Sequence, residues 1–190
     1  MATDKQVRAL LSPKVAAALR KATTALKAAK IDHALVGGLA YDHYARDPRF
    51  TADVDFVVAV EDHERATAAV RRAGFKGHAD DMIAQLENKD GVGVDLLYGL
   101  GDPEESARET ATSARVFGVQ VKVARPEFLL WMYLCSDQPR HAEDAAGIVR
   151  AGVDLKKVAA YLRHTRSDDE LAKLGRIVAR VRGSRDRRKA

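Results

Sequence analysis

The chain has 190 residues, 46% of them hydrophobic and 31% charged, with a formal net charge of +5 and a single cysteine. That composition builds an ordinary globular core, in one domain or a core with a small appendage, and one cysteine excludes both an internal disulfide and a thiolate cluster. No apolar run approaches a membrane span, and the first residues lack the apolar stretch of a signal peptide, so a cytoplasmic protein without membrane contact is expected.

In chain order, Ser12 and Pro13 predict a helix start, with Ser as cap and Pro at the first helical position. Val15, Leu19 and Leu26 then mark one face of a helix reaching about Lys30. Residues 32–36 read as a short strand entering Gly37 and Gly38, and residues 39–44 as the next helix. Residues 47–52, with Pro48, form a loop before a strand over 53–60, whose β-branched and aromatic run favours extended backbone. Asp62 caps a helix through Ala73, which Gly74 ends. Strands are predicted at 75–78, 82–87 and 92–97, with Asn88 to Gly91 as a hairpin loop. A helix is expected over 103–113. Val119, Val121 and Val123 alternate with Gln120 and Lys122, the period of a half-buried strand over 116–123.

From Pro126 onward only helices are predicted. The first runs through Cys135, which reads as a small buried residue in an apolar segment. Others cover 142–150 and 154–164, and the last starts at Ser167, with Glu170 completing a capping-box pattern. The expected organisation is an α/β core with its N-terminal helix over 1–124, followed by a helical region over 125–190. Between Arg176 and Ala190 seven Lys or Arg stand against one Asp. The rest of the chain is therefore close to neutral. Such a tail either contacts a polyanion such as nucleic acid or is a solvated terminus.

Asp53 and Asp55 lie two apart on a predicted strand and so project to one side. Adjacent carboxylates repel unless a cation lies between them. Asp95 is placed on a second, otherwise apolar strand, where an unpaired carboxylate is costly. Three such residues point to a shared cation. Hard oxygen ligands select Mg²⁺ or Mn²⁺ over zinc, and the six histidines show no ligand spacing. Gly37 and Gly38, between a strand and a helix, either form a simple turn or let backbone approach an anion at a helix N-terminus. Carboxylates beside a phosphate cradle point to metal-assisted phosphoryl-type transfer.

The segment from Leu35 to Ala40, followed by Arg49, Thr51, Asp53 and Asp55 as an Arg-x-Thr-x-Asp-x-Asp element, resembles the minimal nucleotidyltransferases of the polymerase-β superfamily. The likeness points in particular to their AbiEii/AbiGii toxin-like branch. It spans about residues 33–98, with Asp95 as the later strand aspartate; Arg140 to Ile148 is more weakly similar. The resemblance implies a mixed β-sheet with flanking helices. It also implies that Gly37 and Gly38 hold the triphosphate of an NTP donor, while Asp53 and Asp55 bind both metals. Asp95 would complete the catalytic metal site and help deprotonate an acceptor hydroxyl. Arg49 and Thr51 would orient the metal-binding strand or touch phosphate, Arg49 being otherwise a surface loop residue. Members often carry a lysine in the helical part, where this chain has Tyr133; Lys122, Arg125 and Arg140 are the candidate substitutes.

The implied reaction moves NMP, from ATP or another NTP, onto a hydroxyl of RNA (a tRNA 3′ end, for example), a protein or a small molecule such as an aminoglycoside. The basic tail favours RNA, since phosphate contacts dominate such binding. With 6% aromatic residues no base-stacking platform is apparent. The branch also implies one half of a toxin–antitoxin pair, with a cognate antitoxin as partner. The alternative is a catalytically silent nucleotide- or RNA-binding module that retains the fold, against which the intact carboxylates argue.

Overall fold

The computed structural model describes residues 4–45 and 51–186, with side chains from Pro13 to Ala45 and from Thr51 to Gly183. Helix α1 (Asp4–Ala28) buries Val15, Leu19 and Leu26 along one face. It begins well before Pro13, which lies inside it rather than at its start. The preceding residues are good helix formers, and a proline removes one hydrogen bond without necessarily ending a helix.

Strand β1 (His33–Leu35) leads into α2 (Gly37–Tyr44), which starts at the glycine pair itself. After β2 (Asp53–Ala59) and a 3₁₀ turn come α3 (His63–Arg72), β3 (Lys76–Ala79), β4 (Ile83–Glu87) and β5 (Gly93–Gly99). Asn88 closes the β4–β5 hairpin, its Oδ1 accepting from the backbone N–H of Asp90 and Val92. Helix α4 (Asp102–Glu109) ends earlier than expected, because Thr112 and Ser113 already belong to β6 (Thr112–Val116). β6 pairs with β7 (Val119–Val123), so the single strand expected over 116–123 is the second arm of a hairpin. Phe117 and Gly118 turn it with φ of 45° and 74°. That is the positive-φ pair of a tight hairpin turn, but with Phe where Asn or Asp is usual.

The strands form one sheet in the order β3-β4-β5-β2-β1-β7-β6, parallel at β2–β5 and β1–β7 and antiparallel elsewhere. This is the mixed α/β architecture expected. Thr67 of α3 bonds the Tyr98 hydroxyl of β5 at 3.0 Å, so α3 lies on the Tyr98 face of the sheet. Val94, Leu96, Val54 and Phe56 share that face by alternation and are fully buried. Asp32 anchors the other end of the sheet, bonding Arg108 of α4 at 2.8 Å and Lys122 of β7 at 2.6 Å.

The chain divides into two compact units, with the divisions at Ala40/Tyr41 and at Ala124/Arg125. One holds α1 and the sheet. The other holds the end of α2 with α5 (Pro126–Cys135), α6 (Pro139–Ala151), α7 (Leu155–His164) and α8 (Asp168–Asp186). Its core includes Leu129, Leu130, Leu134, Ile148 and Leu162. Asp154 caps α7 by accepting from the backbone N–H groups of Lys156 and Lys157. Cys135, expected to be buried, is exposed at the last residue of α5. Helix α8 extends through the basic segment to Asp186, and Arg180 on it bonds Glu143 of α6 at 2.6 Å.

Candidate active site

Strand alternation puts Asp53 and Asp55 on the face opposite Val54 and Phe56, away from α3. The parallel pairing of β2 with β5 sets Asp55 directly beside Asp95, and Asp53 beside Gly93. The same cross-strand row continues outward through Gln85 of β4 to His78 of β3. The predicted carboxylates therefore share one face of two adjacent strands. All three are half-buried.

Their environment is electrostatically costly. Burial pushes the Asp95 carboxyl above the usual carboxylate range, and the neighbouring Asp53 charge raises it further. A hydrogen bond from the Gln85 amide opposes both. Asp53 in turn accepts a hydrogen bond from the Thr51 hydroxyl, which fixes its carboxylate from the loop side.

The glycine pair packs against the same carboxylate strand. Gly37 has φ of 58°, and a Cβ there would overlap the Asp55 Oδ2 atom. A Cβ on Gly38 would lie 2.7 Å from the Thr51 Cβ and Oγ1 atoms. The backbone of β2 is held close by the Val36 N–H, which donates to the Asp55 carbonyl at 2.9 Å. Both glycines are thus required by close approach to Asp55 and Thr51, whatever else occupies the site. Helix α2 starts at this point and directs the positive end of its dipole to the carboxylate face.

Among the described residues no three His, Cys, Asp or Glu side chains converge as a ready-made metal cage. The shared three-carboxylate cage is thus not preformed. The donor chemistry still suits Mg²⁺, which binds through one or two carboxylates and completes its shell with water and phosphate oxygens. A cation beside Asp53 and Asp95 would also relieve the repulsion that raises Asp95.

Gly37, Gly38, Thr51, Asp53, Asp55 and Asp95 are brought together, whereas Arg49 lies outside the described residues. Lys122 is engaged with Asp32, and Arg125 stands 3.8 Å from Glu127. Arg140 is exposed on α6, where Asp144 is buried. Tyr133 is buried on α5 with its ring 5.1 Å from that of His141. Gln85 was not foreseen. The alternation of exposed Gln85 with buried Ala84 and Leu86 is visible in sequence, but its partner is set by the β4–β5 register.

The family described as uncharacterised nucleotidyltransferase matches residues 5–185. No curated protein sequence matches the chain. Among solved structures, the chain is similar to ANT(2″)-Ia in complex with adenylyl-2″-tobramycin, at 20% identity and a TM-score of 0.61 over 80% of this chain and 97% of that one. The solution structure of the antibiotic-resistance factor ANT(2″)-Ia matches at 16% identity and a TM-score of 0.57, over 94% and 98%. JHP933 from Helicobacter pylori matches at 13% identity and a TM-score of 0.51, over 100% and 97%. At these identities the likeness is one of fold. No helix among the described residues is long and apolar enough to cross a membrane.

Proposed function

From the premise that the chain belongs to the uncharacterised nucleotidyltransferase family and is an enzyme of that class, we propose that it transfers NMP from an NTP such as ATP to an acceptor hydroxyl, in the cytoplasm. The observation that carries this reading is the pairing of Asp55 with Asp95 across two parallel strands, beside the Gly37 start of α2. Asp53, Asp55 and Asp95 would hold Mg²⁺ (or Mn²⁺) together with the triphosphate, whose charge the ion neutralises when bound.

The chain's own residues supply the rest. Asp95 takes the proton of the acceptor hydroxyl as that oxygen attacks the α-phosphorus. The bond to pyrophosphate breaks as the new P–O bond forms. Asp53 is held in place by Thr51, and Asp55 by its seat against Gly37. The helix dipole at Gly37 and Gly38 favours the anionic phosphates, with Arg49 as a further phosphate contact. The proposed organisation is a nucleotidyltransferase core over 1–124 and a helical region with a basic tail over 125–190.

RNA, with tRNA in particular, is the acceptor class favoured by the basic residues after Arg176. A small-molecule acceptor has support from ANT(2″)-Ia, whose structure holds adenylyl-2″-tobramycin. The motif resemblance over residues 33–98 supports a place in the AbiEii/AbiGii toxin-like branch, with a cognate antitoxin as partner.

The test is incubation with each labelled NTP, Mg²⁺ and, separately, tRNA, total RNA, a protein extract and an aminoglycoside. Label should move to one acceptor class and be lost in Asp53→Asn and Asp95→Asn. Absence of both NTP binding and label transfer would sink the proposal. RNA affinity unchanged on removal of residues 176–190 would remove the argument for RNA.

A further inference from the structure

On the opposite side of the sheet from the carboxylates, α1 and α3 pack together and leave a groove of about 700 Å³ between their outer faces. Its floor is made mostly of alanine methyl groups, among them Ala17 and Ala28 of α1 and Ala73 just beyond α3, with Thr24 beside them. Arg20 and Lys21 stand on one wall and Arg72 on the other, all three exposed. Among the described residues no carboxylate lines the groove. None of the ion pairs among the described residues involves these cations. The surrounding sequence reinforces the bias: residues 13–31 contain five Lys or Arg and no acid.

Two helices with small side chains between them leave room for a third to approach at ordinary helix-packing distance. The floor runs from Ala17 to Ala29, about 18 Å of helix at 1.5 Å per residue. That matches three turns of an amphipathic helix laid into a groove. Exposed cations on both walls, none of them ion-paired among the described residues although Lys21 also lies 5.9 Å from the Phe75 ring, select a partner whose polar flanks are acidic. A nucleic acid fits less well, since six of the ten lining residues are alanines that offer bases and riboses no hydrogen bonds, and Thr24 is the one lining hydroxyl. We infer that this groove docks an acidic amphipathic helix of a partner protein, its small or apolar face on the alanine floor and its carboxylates against Arg20, Lys21 and Arg72.

The inference is independent of the transferase reading, because the groove and the carboxylates lie on opposite faces of the sheet. Its test uses the full chain and a labelled synthetic peptide of roughly 12–15 residues, patterned with Ala and Leu on one helical face and Glu on the flanks. A scrambled peptide of identical composition and total tRNA serve as comparisons. The patterned peptide should bind, and the scrambled one should bind at least tenfold more weakly. Affinity should fall at least tenfold in the combined variant Arg20→Glu, Lys21→Glu, Arg72→Glu. It should fall likewise in Ala28→Trp, which fills the floor at an exposed position and leaves the charges in place. Circular dichroism and the NMP-transfer rate should be unchanged in both variants. Failure of the patterned peptide to bind, equal binding of the scrambled peptide, or binding that survives Ala28→Trp would each overturn the inference. Binding of tRNA alone, lost on charge reversal, would assign the groove to nucleic acid and overturn it as well.

Discussion

Gly37 and Asp55 sit in such close contact that any side chain on Gly37 would displace the Asp55 carboxylate. Two penalties therefore coincide in Gly37→Ala. The backbone φ of 58° is unfavourable for a residue with a Cβ, at a cost of about 1–3 kcal/mol, and Asp55 must leave its seat. Gly38 lacks the positive φ, and its Cβ would press only on the Thr51 side chain. Gly38→Ala should cost about 1–3 kcal/mol through overpacking alone, less than Gly37→Ala, which adds the backbone strain. Both variants should lose NTP transfer, the first through Asp55 and the second through Thr51 and its bond to Asp53. Urea denaturation alongside the transfer assay separates them. A Gly37→Ala protein as stable as the parent would contradict this account of the glycine.

Asp95→Asn should trade activity for stability. Burial and the adjacent Asp53 charge raise the Asp95 pKa in the fold. The folded state thus favours the protonated acid, and that contribution is lost as pH rises through the raised pKa. An amide removes the loss at neutral pH. The gain should be about 1 kcal/mol or less, because the site is partly open to solvent screening. Transfer should fall by about 10²–10⁴, the range for losing a general base. Thermal melts at acid and neutral pH check the sign: the variant should gain at neutral pH and not in acid.

Gln85 offers a finer probe of the same carboxyl. Its hydrogen bond favours the ionised form of Asp95, so Gln85→Met should raise that pKa further. If ionised Asp95 is the base, the acid limb of the kcat/KM profile moves to higher pH. Gln85→Glu should move it further still by adding a like charge. A shift toward lower pH in either variant would separate Asp95 from the proton transfer.

These relationships differ in how far they could be read from the chain. The alternation of Asp53 and Asp55 with Val54 and Phe56 is local, and it alone puts two carboxylates on one face. That Asp95 stands beside Asp55 is set by the parallel β2–β5 register. The hydrophobic alternation of both strands permits that register but does not identify the partner. The Gln85–Asp95 bond is non-local in the same sense. The β6–β7 hairpin carries no usual turn signature in the sequence, because Phe117, rather than Asn or Asp, occupies the positive-φ position. Cys135 lies in an apolar run yet is exposed, because it terminates α5 and a helix buries only the residues on its packed faces.

In the helical unit, Gly147 poses a conflict between local preference and packing. It lies in the middle of α6, where Ala should be preferred to Gly by about 1 kcal/mol. A Cβ at that position, however, would lie 2.7 Å from the Tyr41 Cε2 atom and 2.8 Å from Cζ. Tyr41 is itself 5% exposed, so its ring has little room to withdraw. Overpacking of a buried aromatic costs about 1–3 kcal/mol, which outweighs the helical gain. Gly147→Ala should therefore be destabilised, by up to about 2 kcal/mol once the helical gain is subtracted, despite improving the intrinsic helix propensity of α6. The Tyr41 hydroxyl is the nearest atom to the added methyl, so Tyr41→Phe should relieve part of the clash. A double-mutant cycle by urea denaturation measures this. The paired variant should be more stable than the sum of the single changes predicts, by 0.5 kcal/mol or more on the roughly 0.5–3 kcal/mol scale of contacting residues. A Gly147→Ala protein more stable than the parent would show that the α6–Tyr41 contact yields, and that helix propensity decides the outcome.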